Sequence, residues 1–320
     1  MKIQINKLEE WSIGLYKMIW ENDRFNFLSY KEIENPILTA RNIKDRKAEF
    51  VADPFLVYEN GIYYMFFEVS GDSKDNIGLA LSEDGAKWKY QRIVLDEPYH
   101  LAYPLVFKWS DKYYMLPETY KTNSLMLYEA IEFPYKWKFS KALIKGRDFG
   151  DLAILFYRDK WWLFVSSADC SDLYLYYSDN LEGTWQEHRK SPIIRNDRTK
   201  ARPAGNILVM DGKIIRIAQN DSPYYGKSVR AFAILELNQE QYQEAELENS
   251  PWLGPSGGGW NKSGMHHLST CKINEGEFLC CVDGKIHRKK YHLDISLHYL
   301  LGRYLSKIAS LKKRVIKNAN

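Results

Sequence analysis

A hairpin that recurs five times leaves this chain few folds to choose from. Residues 52–68 open with Ala52-Asp53-Pro54-Phe55-Leu56-Val57, turn at Gly61 and return through Ile62-Tyr63-Tyr64-Met65-Phe66-Phe67-Glu68. Residues 102–118 read AYPLVFKWSDKYYMLPE and residues 151–167 read DLAILFYRDKWWLFVSS. Residues 202–220 read RPAGNILVMDGKIIRIAQN, and residues 266–284 read HHLSTCKINEGEFLCCVDG. Each copy is a short apolar strand, a polar or glycine turn and a second apolar or aromatic strand, which is a hairpin signature. A period of roughly 50 residues lies in the range of propeller blades.

The outer half of the unit repeats as well. Ile77–Ser82, Leu125–Tyr128, Leu173–Ser178 and Val229–Ile234 read as third strands. Trp88, Trp137, Trp185 and Tyr242 follow them, each read as the aromatic carried by a fourth strand. Four strands per unit make a blade. The fifth hairpin lacks this continuation, and Trp11-Ser12-Ile13-Gly14-Leu15-Tyr16 supplies the missing pattern from the other end of the chain. The expected fold is therefore all-β, a five-bladed β-propeller over residues 1–290 that the N-terminal segment closes. Closure of this kind removes the free sheet edges that an open ring would expose.

From about residue 291 the period changes. Leu293, Leu297, Leu300, Leu301, Tyr304, Leu305, Ile308 and Leu311 recur at helical spacing, with Arg303, Lys307, Lys312 and Lys313 between them. Residues 291–320 are expected to form a short basic amphipathic helix that packs on protein or contacts an anionic membrane surface.

Charge excludes one class of partner. With 45 basic and 41 acidic residues the net charge is +4, too balanced for a dedicated nucleic-acid binder. The 23 Tyr and 10 Trp suit strands, and they also make flat walls on which sugar rings stack. Cys170, Cys271, Cys280 and Cys281 have no CxxC spacing, and Cys280 and Cys281 should point to opposite faces of one strand. Reduced thiols are expected. The segment MKIQINKLEEWSIGLY lacks an apolar signal-peptide core, and no apolar run is long enough to span a bilayer. The expected location is the cytoplasm, with peripheral contact at the inner membrane face through residues 291–320.

In a propeller the first strand of each blade lines the central channel, so polar residues at those strand starts converge. Here they are Asp53, Tyr103, Asp151, Arg202 and the pair His266-His267, with Asn206 just after Arg202. The second strands end on Glu68, Glu118, Ser166-Ser167, Gln219-Asn220 and Asp283. Two carboxyl groups facing each other across a sugar suffice for glycosidic chemistry, one moving a proton and the other activating the attacking group. Asp53, Asp151, Glu68 and Glu118 are the catalytic candidates. Tyr103, Arg202, Asn206, Gln219, Asn220, His266, His267 and Asp283 are candidates for binding substrate, and Trp260 in the glycine-rich GPSGGGW segment is expected to be shown to ligand by a mobile loop. Adjacent His266 and His267 cannot both face the channel, and the seven histidines show no HxH or HExxH spacing, so neither a metal nor a cofactor is expected.

The blade starts resemble those of five-bladed propeller glycoside hydrolases that act on arabinan and xylan. That resemblance implies a base at Asp53 and a pKa-tuning role for Asp151. Where the family carries its acid glutamate on the fourth blade, this chain has Arg202-Pro203-Ala204-Gly205. From Trp11 to Asp283 the chain more closely resembles the N-terminal propeller module of glucosamine inositolphosphorylceramide transferases and its bacterial stand-alone relatives. The matching stretches include WSIGLY, NPILTARNI, FVADPFLVY, HLAYPLVF, YMLPETY, WWLFVSS, ARPAGNI and MHHLS. This resemblance implies a role in building glycoconjugates, with the transferase machinery of the larger relatives in a separate C-terminal domain.

Three functions follow as expectations. The first is a glycosyltransferase-type enzyme of surface-polysaccharide or glycolipid assembly acting on a glycan, a lipid-linked sugar or a nucleotide sugar. Asp53 or Asp151 would be its base, with Arg202 and a histidine of 266–267 offsetting phosphate charge. The second is a non-catalytic carbohydrate-binding or scaffold module. The third is a glycoside hydrolase whose acid is displaced to Glu68 or Glu118. For the tail, deleting residues 291–320 is expected to release the protein from anionic vesicles in a sedimentation assay, and raised salt is expected to do the same. Vesicle binding indifferent to both would rule the membrane contact out.

Overall fold

The computed structural model describes residues 2–21, 24–71 and 74–294. Among the described residues, twenty strands form five four-stranded antiparallel sheets. The chain opens with β1 (Lys2–Glu21) and β2 (Arg24–Ser29). Blade one is β3 (Ala48–Glu59), β4 (Ile62–Gly71), β5 (Asn76–Ser82) and β6 (Lys89–Leu95). Blade two is β7 (Ala102–Trp109), β8 (Lys112–Glu118), β9 (Ser124–Glu132) and β10 (Lys136–Lys145). Blade three follows as β11 (Phe149–Tyr157), β12 (Lys160–Ser167), β13 (Leu173–Ser178) and the two-residue β14 (Gln186–Glu187). Blade four is β15 (Leu208–Met210), β16 (Lys213–Asn220), β17 (Ser228–Leu237) and β18 (Tyr242–Glu246). The last hairpin, β19 (Leu268–Asn274) and β20 (Glu277–Asp294), joins β1 and β2 in the order β19-β20-β1-β2.

The expected five-bladed propeller is therefore present, and the N-terminal strand closes it as the third strand of the fifth blade. Burial explains why β1 holds there. Ile13, Leu15 and Met18 are fully buried, each side chain contributing about 1.5–3 kcal/mol by leaving water. Five apolar clusters fill the five interfaces between neighbouring blades among the described residues. Cys280 and Cys281 go to different clusters, the first facing blade four and the second blade one, and all four cysteines are free. The propeller spans Trp11–Ile286, while the first residues of β1 and the last of β20 belong to a second unit, in which Arg288 pairs with Glu10 at 2.5 Å. Strand β20 carries on to Asp294. Residues 295–320, most of the expected basic helix, lie outside the described residues.

The seam between blades four and five depends on backbone approach. Leu268 donates its N–H to the Ala204 carbonyl at 2.8 Å, and Gly205 bridges Leu268 in parallel. Gly205 has φ 145°, and a Cβ there would lie 1.9 Å from the Leu268 carbonyl oxygen. Gly205→Ala is thus expected to cost about 3 kcal/mol or more in denaturant unfolding. Gly212→Ala, at φ 74° with nothing within 4 Å, should cost only about 1–2 kcal/mol for its left-handed backbone. Equal losses at the two sites would show that the seam tolerates a wider gap than this geometry allows.

Candidate functional site

One local device recurs on three blades. The pairing of β3 with β4 slips between Ala52 and Phe55, that of β7 with β8 between Ala102 and Leu105, and that of β11 with β12 between Phe149 and Leu152. Bulges of this kind re-aim a side chain out of the regular alternation. Asp53 and Tyr103 occupy the first two slips with left-handed backbones, φ 52° and 47°. Such conformations cost about 1–3 kcal/mol and collect at functional sites. Asp151 occupies the third.

Around these bulges the hub holds a cavity of about 280 Å³, lined among others by Asp53, Glu68, Glu118, Arg202, Tyr225 and His266. Arg202 organises one side of it. Its Nε donates to Asp151 Oδ2 at 2.6 Å, Nη2 reaches Glu118 Oε2 at 3.5 Å, and Nη1 lies 3.1 Å from Cys170 Sγ. Its guanidinium is 5.2 Å from the centre of the Tyr225 ring. Gln219 Nε2 adds a second donor to Asp151 Oδ2 at 2.5 Å. Asp151 is fully buried behind this pair and does not line the cavity.

Asp283 organises the other side. Its Oδ1 accepts the backbone N–H groups of His266 and His267 at 3.0 and 3.1 Å, and its Oδ2 accepts that of Asp53 at 3.2 Å. The same Oδ2 is 2.7 Å from His266 Nδ1. His266 stacks on Trp11 at 3.9 Å and pairs with the Tyr225 hydroxyl through Nε2 at 3.0 Å. Asp53, His266 and Asp283 bring possible metal-ligand atoms within 4.8 Å of one another. Both oxygens of Asp283 are already engaged by protein donors, so the triad as it stands is a clamp between blades one and five. A cation would have to displace those bonds.

Protonation follows from burial and neighbours. Burial raises the Asp53 carboxyl to about 7, with His266 opposing the shift and Asp151 adding to it. Glu68 is held well above the ordinary range by burial and then by the Asp53 charge, and the two carboxyls share a hydrogen bond. Glu118 is raised in the same way by burial and then by Asp151, to which it is also hydrogen-bonded. Asp151 falls below its usual value: burial works against ionisation, but the Arg202 charge and the hydrogen bonds from Glu118 and Arg202 outweigh it. For Asp283 the His266 charge outweighs burial in the same sense, and His266 is raised in turn. Burial takes His267 down to about 4. Burial and neighbouring charge thus favour the protonated forms of Glu68 and Glu118 and the ionised forms of Asp151 and Asp283, while Asp53 titrates near 7.

Residues 11–285 match the family described as glucosamine inositolphosphorylceramide transferase 1, N-terminal. The chain belongs to this family. It is 34% identical over 296 residues to glucosamine inositolphosphorylceramide transferase 1 of Oryza sativa subsp. japonica and 32% over 300 residues to that of Arabidopsis thaliana. Each alignment covers 86% of this chain but only 40% and 39% of those proteins. A 1,2-beta-oligomannan phosphorylase of Thermoanaerobacter is 24% identical over 161 residues, 46% of this chain and 52% of its own. Among solved structures, the catalytic domain of a Coprinopsis cinerea GH62 alpha-L-arabinofuranosidase superposes with TM-score 0.61 at 14% identity, covering 78% of this chain and 95% of its own. A thermostable family-43 glycoside hydrolase superposes with TM-score 0.57 at 15% identity, covering 82% and 96%. Those two likenesses establish the shared propeller fold.

Against this family background, the structure sorts the residues singled out in the sequence. Asp53, Glu68, Glu118, Arg202 and His266 meet at the cavity. Asp151, Gln219 and Asp283 stand behind it as hydrogen-bonding supports. His267 and Tyr103 are fully buried, with Tyr103 5.2 Å from the His267 ring and Phe55 4.9 Å from Tyr103. Asn206 is not among the cavity-lining residues, and Asn220 holds a turn by accepting the Ser222 N–H. Trp260 is a packing residue: its ring fills the spaces above Gly14 and Gly284, where an added Cβ would lie 2.5 and 2.4 Å from it. Arg202 is enclosed by Asp151 and Glu118. The sequence reading missed Trp11, Asp75, His100 and Tyr225, all of which line the cavity. Trp11 was read only as strand pattern, and the other three lie in loops, where hairpin periodicity carries no signal.

A stability test follows for Asp53. Between about pH 4 and 7 the folded protein keeps a proton on this carboxyl that the unfolded chain has released, so this group's contribution to stability declines as pH rises through that window. Asp53→Asn removes the effect. The variant should therefore melt several degrees above wild type at pH 8, and the gap should close by pH 4–5. A gap of the same size at both pH values would mean that Asp53 does not titrate as its burial implies.

Proposed function

We propose that this propeller is a carbohydrate-active enzyme that transfers a glycosyl group from a glycoside to a hydroxyl acceptor in glycoconjugate assembly. The observation that carries the reading is the pairing, in one cavity, of a Glu118 carboxyl raised by burial and by Asp151 with an Asp53 carboxyl that titrates near neutrality. Opposed acid and base carboxyls are what exchange at a glycosidic carbon needs. Asp53 takes the proton of the attacking hydroxyl as its oxygen bonds to the anomeric carbon. Glu118 gives its proton to the departing oxygen, which keeps the electron pair of the broken C–O bond. Glu68 hydrogen-bonds to Asp53 and tunes it. Asp151, ionised against Arg202, raises Glu118 and so keeps it charged with its proton.

The protonated acid also bears on the donor. A sugar alkoxide is a poor leaving group and needs a proton, whereas a nucleoside diphosphate leaves as a stable anion. A glycoside or lipid-linked sugar is therefore favoured over a nucleotide sugar. The family supports a place in glycoconjugate synthesis, and the propeller fold shared with glycoside hydrolases supports glycosidic chemistry at the hub. Hydrolysis is the second reading, favoured by the same acid and base, since water can take the place of the hydroxyl acceptor. Among the described residues no helix is long and apolar enough to cross a membrane. Contact with an anionic membrane through residues 291–320 and a cytoplasmic setting belong to the same proposal, because they would bring a lipid-linked substrate within reach.

The test is product analysis by mass spectrometry after incubating the protein with glycosides, nucleotide sugars and hydroxyl acceptors. Asp53→Asn and Glu118→Gln are each expected to lose 10²–10⁴-fold in rate on unactivated glycosides. The rate should climb as pH rises through about 7, where Asp53 ionises. Full activity of both variants would overturn the reading. Products formed from nucleotide sugars alone would move the donor to that class, and release of free sugar despite abundant acceptor would favour hydrolysis.

A further inference from the structure

A second cavity of about 600 Å³ adjoins the hub, and Asp75 and His100 line both. His100 therefore forms the partition between them. Its Nδ1 lies 2.8 Å from Asp75 Oδ2, and its Nε2 faces Glu118 Oε1 at 3.9 Å. Asp75 is fixed in turn, its Oδ1 accepting the Gly71 N–H at 3.2 Å. A carboxylate holding one imidazole nitrogen fixes the ring orientation and leaves the other nitrogen free to exchange a proton. Burial works against the Asp75 charge, but hydrogen bonds from His100 and Ser70 keep its carboxyl below the ordinary range. His100 itself is 31% exposed, whereas Glu118 is 11% exposed.

The far side of the partition is lined by Lys74, Tyr99, Tyr120 and Lys121 with Ser70 and Pro98. Its charges are largely cancelled. Lys74 pairs with Asp96 at 2.5 Å and His100 with Asp75, leaving Lys121, 5.3 Å from the centre of the Tyr120 ring, as the lining cation without a carboxylate partner among the described residues. Tyr120 is exposed and stands edge-on to His100. A near-neutral pocket with an open aromatic face suits a sugar ring better than a nucleoside diphosphate.

We propose that this second cavity receives the leaving group of the reaction, a neutral polyhydroxylated moiety, and that His100, oriented by Asp75, returns a proton to Glu118 after each turnover. The inference rests on the acid–base reading of the hub. Once Glu118 has protonated the departing oxygen it is a buried carboxylate beside ionised Asp151, and such a like-charge pair is unfavourable. His100 in its imidazolium form gives the Nε2 proton to Glu118 Oε1, directly after a small side-chain movement or through one water, and takes another from solvent by way of the second cavity. The proton that Asp53 removed from the acceptor is released separately, so each cycle balances.

The experiment compares wild type, His100→Ala, His100→Gln and Tyr120→Ala on an unactivated glycoside and on the 4-nitrophenyl glycoside of the same sugar. A nitrophenolate leaves without a proton, so it bypasses both Glu118 and the relay. Both His100 variants are expected to keep the wild-type rate in a single turnover of the unactivated substrate and to lose about 100-fold in kcat, with KM falling in step so that kcat/KM holds. They should match wild type on the nitrophenyl substrate, and added imidazole should restore turnover of His100→Ala. Tyr120→Ala should raise KM for the unactivated glycoside alone. Equal losses on both substrates, or none on either, would overturn the relay. If Asp53→Asn and Glu118→Gln lose activity while His100→Gln does not, the relay fails and the hub reading stands. If all of them remain active, the hub reading itself has failed.

Discussion

The carboxylate of Asp283 ties the last blade of the ring to the first, and the site is built on that tie. It accepts two consecutive backbone N–H groups from the start of blade five and one from the bulge of blade one. A propeller is held mainly by apolar packing between blades, which fixes spacing but permits sliding. Three charge-assisted hydrogen bonds to one buried carboxylate set register at the hub, where sliding would move Asp53 away from its neighbours. The same carboxylate keeps His266 against Trp11, so the wall of the cavity and the position of Asp53 share one anchor.

Around that anchor the ionisable groups resolve into a simple pattern. Two cationic side chains, Arg202 and the raised His266, face two ionised carboxylates, Asp151 and Asp283. Three further carboxyl groups share the hub, and an enclosed space cannot hold three more uncompensated charges. Glu68 and Glu118 are pushed towards their protonated forms, and Asp53 is left to titrate near 7. Its value is a property of the whole cluster, since each neighbour shifts with it. Replacing Arg202 would thus disturb every carboxyl of the hub at once, beginning with Asp151, which would be left buried and unpaired.

The fold was legible in the sequence because each blade repeats the same packing problem, and repetition makes hairpins visible even where single strands are ambiguous. Ring closure was legible for the same reason, since Trp11–Tyr16 completes a pattern that five hairpins define. The carboxyls were found by their equivalent places at strand ends. What sequence position could not give was depth. Asp151 and Asp53 occupy matching places on their blades, yet a guanidinium covers one while the other faces the cavity. Trp260 illustrates the opposite error: a glycine-rich segment suggested a displayed ring, whereas the glycines that matter, Gly14 and Gly284, are those that make room for it. His100 and Asp75 lie in loops between strands, and only the three-dimensional convergence of two such loops reveals their pairing.

The substitution at the start of blade four has a consequence for how a substrate lies. In the glycoside hydrolases that the blade starts resemble, the acid is a glutamate on the fourth blade. Here that place is taken by Arg202, whose charge holds Asp151 ionised and itself opposes the rise of Glu118 of blade two, which burial and the Asp151 charge carry upward. In the reaction proposed above, the proton donor would lie across the hub from that place. An acid at Glu118 would have to lie beside the departing oxygen, so on that proposal the leaving group would exit over blades one and two, on the side where the second cavity opens beyond His100. A site that had only lost its acid would have no reason to show a protonated carboxyl, a histidine partition and a near-neutral pocket on one flank. The three together are what the proposed acid at Glu118 would require.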